Sequence, residues 1–243
     1  LNFISNVRNC LHHLSGRKCD QLYFEYQEKM ADALKFGKKN GQQPVERFLS
    51  KLHGHMEFLK QQHLMFLYEL GLAKNVNRMR KIRKSTRVKG LEITENGMLN
   101  FASSEHILYN PDLLLKIFEE SAALKIPLSA EAKRLVREFS YLVDHAFSSA
   151  SNLESFDRIL AKPAWTFNVL NEMLNTGFLS RFIPEFNDIV DRIQYDEYHL
   201  YPVDRHLLRT VQNIKKFGLP ESVSMYPLCS DLFKTLKNRN LLL

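Results

Sequence analysis

Residues 44–70 read PVERFLSKLHGHMEFLKQQHLMFLYEL, and this stretch decides the fold class. Its apolar residues recur at the spacing of one helix face, at Phe48, Leu52, Met56, Leu59 and Leu67. Pro44 stands where the first turn of a helix tolerates proline, and Gly71 stands where a helix commonly ends. The stretch therefore predicts one long amphipathic helix from Val45 to Leu70.

Most of the remaining chain shows the same helical spacing, with one exception. Residues 88–101 alternate between apolar and polar side chains around Asn96-Gly97, which is the strongest short-range signal for a β-hairpin. Ser129 precedes another helical stretch as a predicted N-cap, with Glu131 in the first turn. We predict a mostly α fold, a multi-helix bundle with one small β-hairpin excursion near residues 88–101.

Composition limits the class of protein. The chain has 243 residues, 44% of them hydrophobic and 25% charged, which is typical of a soluble globular protein. It contains no apolar run of the roughly 18 residues that a membrane span requires. The three cysteines have no C-x-x-C spacing, which favours reduced thiols and a cytoplasmic protein. Because the chain starts on Leu1 and ends on three leucines, we expect it to be an excised piece of a longer protein.

The strongest charge feature lies in residues 74–89, which carry eight basic side chains and no acid. A surface of this kind suits phosphates or an acidic protein, and its centre is formed by Arg80, Lys81, Arg83 and Lys84. The run has no aromatic side chain on which a base could stack, which makes a nucleic acid the less favoured partner. The run alone favours a solvated charged loop, or one that docks on an acidic neighbour domain, over a phosphate-binding surface.

Histidines in residues 53–63 do not form a recognisable metal motif. On a helix, His53 and His55 are about 200° apart and cannot bind the same ion. His53 and Glu57 have the required spacing, but two ligands on one helix make a weak site. We interpret these residues as exposed or capping, and no nucleophile elbow, phosphate-binding glycine loop, H-E-x-x-H or D-x-D motif occurs elsewhere.

The stretch YDEYHLYPVDRH at residues 195–206 has the composition of a polar site between two apolar segments. His206 lies near the start of a predicted amphipathic helix, with acids close by, and a neutral imidazole in this position suits divalent metal binding. From spacing alone, however, an interior or capping histidine is the favoured interpretation.

Three stretches together resemble a known family. GFLSRFIPEF at 177–186 and IQYDEYHLYPVDRH at 193–206 are similar to signatures of the bacterial protein-PII uridylyltransferase/uridylyl-removing enzymes. VRNCLHHLSGRKCDQLYFEYQ at 7–27 is similar to another signature of that family, and the stretches occur in the family's order. The resemblance spans nearly the whole chain.

The resemblance implies a domain organisation. Residues 1–72 would be a helical segment that follows a missing nucleotidyltransferase domain, and residues 73–190 a helical middle region with the hairpin. Residues 191–243 would be the first part of a truncated HD-type phosphohydrolase domain. His206 would be the first metal ligand of that domain, and the remaining ligands would follow Leu243.

We therefore expect the parent to be a cytoplasmic bifunctional enzyme that attaches UMP from UTP to a PII-type nitrogen signal protein and removes it again. The resemblance implies Mg²⁺ or Mn²⁺ in the parent. The chain alone is expected to be inactive and to bind no metal tightly. The alternative is a non-enzymatic helical scaffold that binds RNA or an acidic protein through residues 74–89.

Overall fold

The computed structural model of the protein describes residues 2–70, 72, 85–143, 149–162, 169–196 and 201–239. The chain divides into two compact units. The first unit consists of residues 1–61 together with 187–206, and the second of residues 62–186 together with 207–243. The first unit is thus built from two stretches that are far apart in sequence.

Helices dominate the described residues, as the sequence predicts. The α-helices are α1 (Asn2–Ser15), α2 (Phe24–Ala33), α3 (Pro44–Glu69), α4 (Ser104–Tyr109), α5 (Leu113–Leu124), α6 (Ala130–Phe139), α7 (Ala150–Ala161), α8 (Val169–Asn175), α9 (Phe178–Phe182), α10 (Val203–Lys216), α11 (Ser222–Met225) and α12 (Pro227–Thr235). Short 3-10 helices span Ser140–Val143 and Pro184–Asp188. Among the described helices, none combines the length and the hydropathy needed to cross a membrane.

The first unit has a small apolar core between α1, α2 and the beginning of α3. Val7, Leu11, Met30 and Phe48 are all buried there, and Phe48 is completely inaccessible to solvent. The long helix predicted from Val45 to Leu70 is confirmed as α3. Only the first part of its predicted apolar face, at Phe48 and Leu52, packs in this core, whereas Met56 and Leu59 of the same face are exposed in the described part of the chain.

An ion-pair cluster fixes the loop between α1 and α2. The Arg8 Nε donates to the Asp20 Oδ1 at 2.7 Å, and the His12 Nε2 lies 3.1 Å from the same oxygen. The hydrogen bond from Arg8 lowers the pKa of Asp20 to about 2. The carboxylate therefore stays ionised, and paired, at any physiological pH.

The core of the second unit surrounds α5. This helix is buried on several sides, and its inaccessible side chains include Leu114, Leu115, Ile117 and Phe118. The Phe118 ring lies 5.1 Å from the Phe178 ring of α9. A helix that is apolar around most of its circumference requires neighbours on those sides, and it forms the centre of this unit.

The predicted hairpin is confirmed at the predicted turn. β1 (Leu91–Ile93) pairs antiparallel with β2 (Leu99–Phe101), and Gly97 adopts a φ of +73° in the connecting turn. Backbone hydrogen bonds also join Leu99 to Pro127 and Ser129, so β2 is held on its other edge. Leu99 and Phe101 are buried, which makes the hairpin part of the core of the second unit.

Helix N-caps follow the predicted chemistry at α6. The Ser129 hydroxyl accepts a hydrogen bond from the Ala132 amide at 2.9 Å, which confirms Ser129 as the predicted cap. Ser149 caps α7 in the same way, through the Asn152 amide. Residues 149–152 are mostly polar, yet α7 already begins at Ala150, because a serine cap initiates a helix as readily as it marks a loop.

Lys215 of α10 carries its amine in a partly buried position, where a positive charge is poorly solvated. Its side chain is largely buried in the second unit, and its Nζ lies 3.5 Å from the carbonyl oxygen of Ile159. Burial lowers the pKa of the Lys215 amine to about 8, from 10.5. Between these two pH values the unfolded chain binds more protons than the folded chain, so the free energy of unfolding should rise with pH in this window.

We predict that Lys215→Met raises the free energy of unfolding at pH 7 by about 1 kcal/mol, once solvent screening is allowed for. The variant should also lose the rise in stability between pH 8 and 10.5. Urea unfolding across this pH range measures both effects. Lys216→Met is the matched control, since Lys216 is exposed, and equal behaviour of the two variants would contradict the assignment.

Candidate functional site

His206, the predicted metal ligand, lies in the first turn of α10. Its amide donates to the Pro202 carbonyl oxygen at 2.9 Å, and the residue is exposed. An exposed imidazole on a regular helical turn is accessible to an ion or a substrate. The conformation of this turn therefore determines where the imidazole can reach.

Asp204, two residues before His206, is fully buried in the first unit. Its Oδ2 accepts the Asp191 amide at 3.0 Å, and its Oδ1 accepts the Arg205 amide at 2.7 Å. Burial raises the pKa of the Asp204 carboxyl, although both amide hydrogen bonds act to lower it. A carboxylate in the first turn of a helix is favoured by the helix dipole and by the unpaired amides there. Asp204 is therefore a buried acid whose two oxygens both hold backbone amides at the start of α10.

Asp191 joins this turn to α3. It has a φ of +51°, in the left-handed region that aspartate tolerates better than most residues. Its Oδ1 lies 3.3 Å from the His53 Nδ1. A Cβ at Gly54 would lie 2.9 Å from the Asp191 Oδ2, so the glycine gives this carboxylate its space.

A contact between α3 and α10 itself lies one helical turn further along α3, at Glu57. The Arg205 Nη2 is 4.0 Å from the Glu57 Oε1, and both side chains are about five-sixths buried, with 17% and 16% exposed. Burial alone would raise the pKa of Glu57, but a hydrogen bond from Gln61 and the charge of Arg205 bring it below its usual value. Glu57 is therefore an ionised partner of the arginine that precedes His206.

The first residue of the predicted tyrosine-rich stretch also has a structural role. The Tyr195 amide donates to the Glu46 Oε1 at 3.3 Å, and the Tyr195 ring stacks on Phe24 with centroids 5.0 Å apart. The beginning of the stretch therefore packs against α2 and α3 within the first unit.

The histidines of α3 lie on different faces, as their spacing predicts. The His53 Nδ1 lies beside Asp191, whereas the His55 Nδ1 lies 2.8 Å from the Lys51 carbonyl oxygen and its ring packs on Phe3. They share no site. Within the described part of the chain, no three histidine, cysteine or acidic side chains are placed to hold a metal ion together. His206 is therefore not part of a three-ligand cluster within the described residues.

Several predicted residues lie outside the described ranges. The basic residues Arg80, Lys81, Arg83 and Lys84 are among them, as are His199 and residues 241–243. Asp191, as a partner of Asp204 and His53, was not anticipated from the sequence, because nothing in the local pattern signals a contact across 138 residues.

We predict that Asp204→Ala lowers the free energy of unfolding by about 1–3 kcal/mol, because the Asp191 and Arg205 amides lose their acceptor. His206→Ala should change it by less than about 0.5 kcal/mol, since His206 is exposed. Thermal and urea unfolding of the two variants test this difference. Equal losses in both would show that Asp204 does not fix the turn.

The chain is similar to known proteins along almost its whole length. A family model described as "GlnD PII-uridylyltransferase" matches residues 1–67. The bifunctional uridylyltransferase/uridylyl-removing enzyme of Azotobacter vinelandii is 30% identical over 253 aligned residues, which cover 99% of this chain. Proteins with the same name from Ruegeria pomeroyi and Nitrosococcus oceani are 30% and 28% identical, again over 99% of the chain. No solved structure shows a significant match.

The alignment covers only 27% of each of these three relatives, so the chain spans about a quarter of their length. Three relatives from different bacteria carry the same name, and the alignments include both the region that the family model matches and the segment that ends in His206. Along almost its whole length, the chain is therefore similar in sequence to one part of the bifunctional uridylyltransferase/uridylyl-removing enzymes.

Proposed function

We propose that the chain is part of a cytoplasmic bifunctional enzyme that transfers UMP from UTP to a PII-type signal protein and also removes it. The observation that carries the proposal is the similarity to the named enzymes over 99% of the chain. The three free cysteines are compatible with the reducing cytoplasm. The transfer and removal reactions are properties of the whole protein, of which this chain would be a central part.

The proposed contribution of the chain is a helical region followed by the start of a hydrolase domain. Residues 1–72 would follow the nucleotidyltransferase domain, residues 73–190 would form the middle region, and residues 191–243 would begin an HD-type phosphohydrolase domain. The position of His206 supports this division, because an exposed imidazole at the start of α10 can serve a site that other segments complete.

His206 is proposed as one ligand of a divalent ion, Mg²⁺ or Mn²⁺, in the hydrolytic site. Such an ion would supply a hydroxide nucleophile for cleavage of the phosphodiester that links UMP to the signal protein. Asp204 is not proposed as a second ligand, because its side chain is fully buried and both of its oxygens accept backbone amides. Its proposed role is to fix the turn that carries His206.

A direct consequence concerns the chain by itself. One imidazole binds a divalent ion weakly, so titration of the 243-residue chain with Mn²⁺ should give no saturable 1:1 isotherm in a calorimeter. The chain should also release no UMP from a uridylylated PII protein. Tight 1:1 binding that disappears in His206→Ala would contradict the proposal that the remaining ligands lie outside this chain.

The decisive experiment uses the full-length enzyme that contains this chain. His206→Ala should reduce the release of UMP from a uridylylated PII protein at least about 100-fold, because a metal ligand is lost. Incorporation of UMP from UTP should remain within about twofold, since His206 would not act in the transfer reaction.

His13→Ala is a suitable control, because His13 is also an exposed helical histidine. Unchanged UMP release in His206→Ala would exclude His206 as a ligand. An equal loss of both reactions, with a lower melting temperature, would assign His206 to the fold.

A further inference from the structure

The first turn of α10 is attached to the first unit by contacts on several sides. The Val203 amide donates to the Arg192 carbonyl oxygen at 2.9 Å, and Asp204 accepts the Asp191 amide at 3.0 Å. Arg205 extends to Glu57. Three consecutive residues before His206 are therefore each bound to a different partner.

Two of these partners lead to one face of α3. His53 and Glu57 are four residues apart, so their side chains lie above one another on the same side of the helix. His53 contacts Asp191 in the turn, and Glu57 contacts Arg205 in the helix. One face of α3 thus contacts both the turn at Asp191 and the start of α10 at Arg205.

Steric detail supports a specific arrangement at this contact. Asp191 is one of four non-glycine residues with positive φ among the described residues, and its carboxylate lies against the helix at Gly54. Glycine weakens a helix interior, because it has more conformational freedom to lose than any other residue. The space that Gly54 leaves is filled by a carboxylate oxygen of Asp191.

We propose that His53, Glu57, Asp191 and Asp204, here called the α10 anchor, are positioning residues that fix the first turn of α10 and thereby the direction of the His206 side chain. The role of His206 as a metal ligand rests on the proposed function. The anchor itself is argued from the contacts described above. None of the four is proposed to touch metal or substrate.

The anchor matters because the end of a helix frays easily. The first turn of any helix lacks four internal amide hydrogen bonds and is the part most readily deformed. His206 is the fourth residue of α10, so loss of the anchor would loosen the backbone that carries its imidazole. A displacement of about 1 Å in a reacting group can cost up to 100-fold in rate.

Substitutions at Asp191 separate the possible roles of this residue. Asp191→Asn tolerates the positive φ and keeps an oxygen beside His53, so it should behave like the wild type. Asp191→Gly tolerates the positive φ but loses the contact with His53. If the contact is what fixes the turn, only the glycine variant should loosen α10.

The first measurement is amide hydrogen exchange by NMR in the 243-residue chain. In Asp191→Gly and in Glu57→Gln, exchange of the Val203 and His206 amides should accelerate at least about tenfold, while amides near the end of α10 are unchanged. The His206 ring resonances should shift in the same variants. Asp231→Asn, at an exposed acid of α12, is the control and should change neither.

Gly54→Ala gives a test that removes no contact partner. Helix propensity alone predicts that alanine stabilises α3 and leaves α10 unchanged. The added Cβ would lie 2.9 Å from the Asp191 Oδ2 and must displace that carboxylate. We therefore expect faster exchange at His206 in this variant even if its melting temperature rises.

The second measurement is made in the full-length enzyme. Asp191→Gly should lower kcat for UMP release about 10–100-fold, with KM and the transfer reaction unchanged, and Asp191→Asn should restore it. Wild-type exchange rates at Val203 and His206 in Asp191→Gly, Glu57→Gln and Gly54→Ala would overturn the anchor. Accelerated exchange combined with full UMP release in His206→Ala would instead preserve the anchor and refute the proposed role of His206.

Discussion

The buried carboxylate of Asp204 is the constraint on which the candidate site depends. A carboxylate removed from water needs hydrogen bonds to both oxygens, since an unsatisfied charged group is far more costly than an unsatisfied neutral one. Here the two donors are backbone amides, one from its own helix and one from Asp191. This requirement fixes the start of α10 relative to the turn before it, and the exposed position of His206 follows.

In the second unit, a buried acid is paired with a buried lysine. The Lys133 Nζ of α6 lies 2.6 Å from the Glu172 Oε2 of α8, and both side chains are about nine-tenths buried. Such a pair adds little net stability compared with apolar side chains of the same volume, yet breaking it by removing one partner is strongly destabilising. Among the described residues, each unit therefore has a buried acid, Asp204 in the first and Glu172 in the second. The partners of this acid hold neighbouring segments of the unit together.

Features that depend on local sequence were predicted, whereas contacts between distant segments were not. The long helix α3, the hairpin at Asn96-Gly97 and the cap at Ser129 follow from periodicity, turn chemistry and a single hydroxyl. The sequence described His53 and Glu57 only as a weak metal pair, whereas the structure places them beside Asp191 and Arg205, which lie more than 130 residues away. No periodic pattern encodes a pairing of that kind, so the family resemblance identified His206 but not the residues around it.

The two stretches that form the first unit are far apart in sequence, and this affects how the unit folds. The hydrogen bond between Glu46 and Tyr195 joins residues 149 apart, and the contact between His53 and Asp191 joins residues 138 apart. Closing such long loops is entropically costly and slow compared with forming local helices. During synthesis, α1 to α3 emerge well before residues 187–206, so their contacts with Asp191 and Tyr195 can form only later. The segment that carries His206 would therefore be among the last parts of the first unit to reach its native contacts, and the nascent chain would expose the α3 face until then.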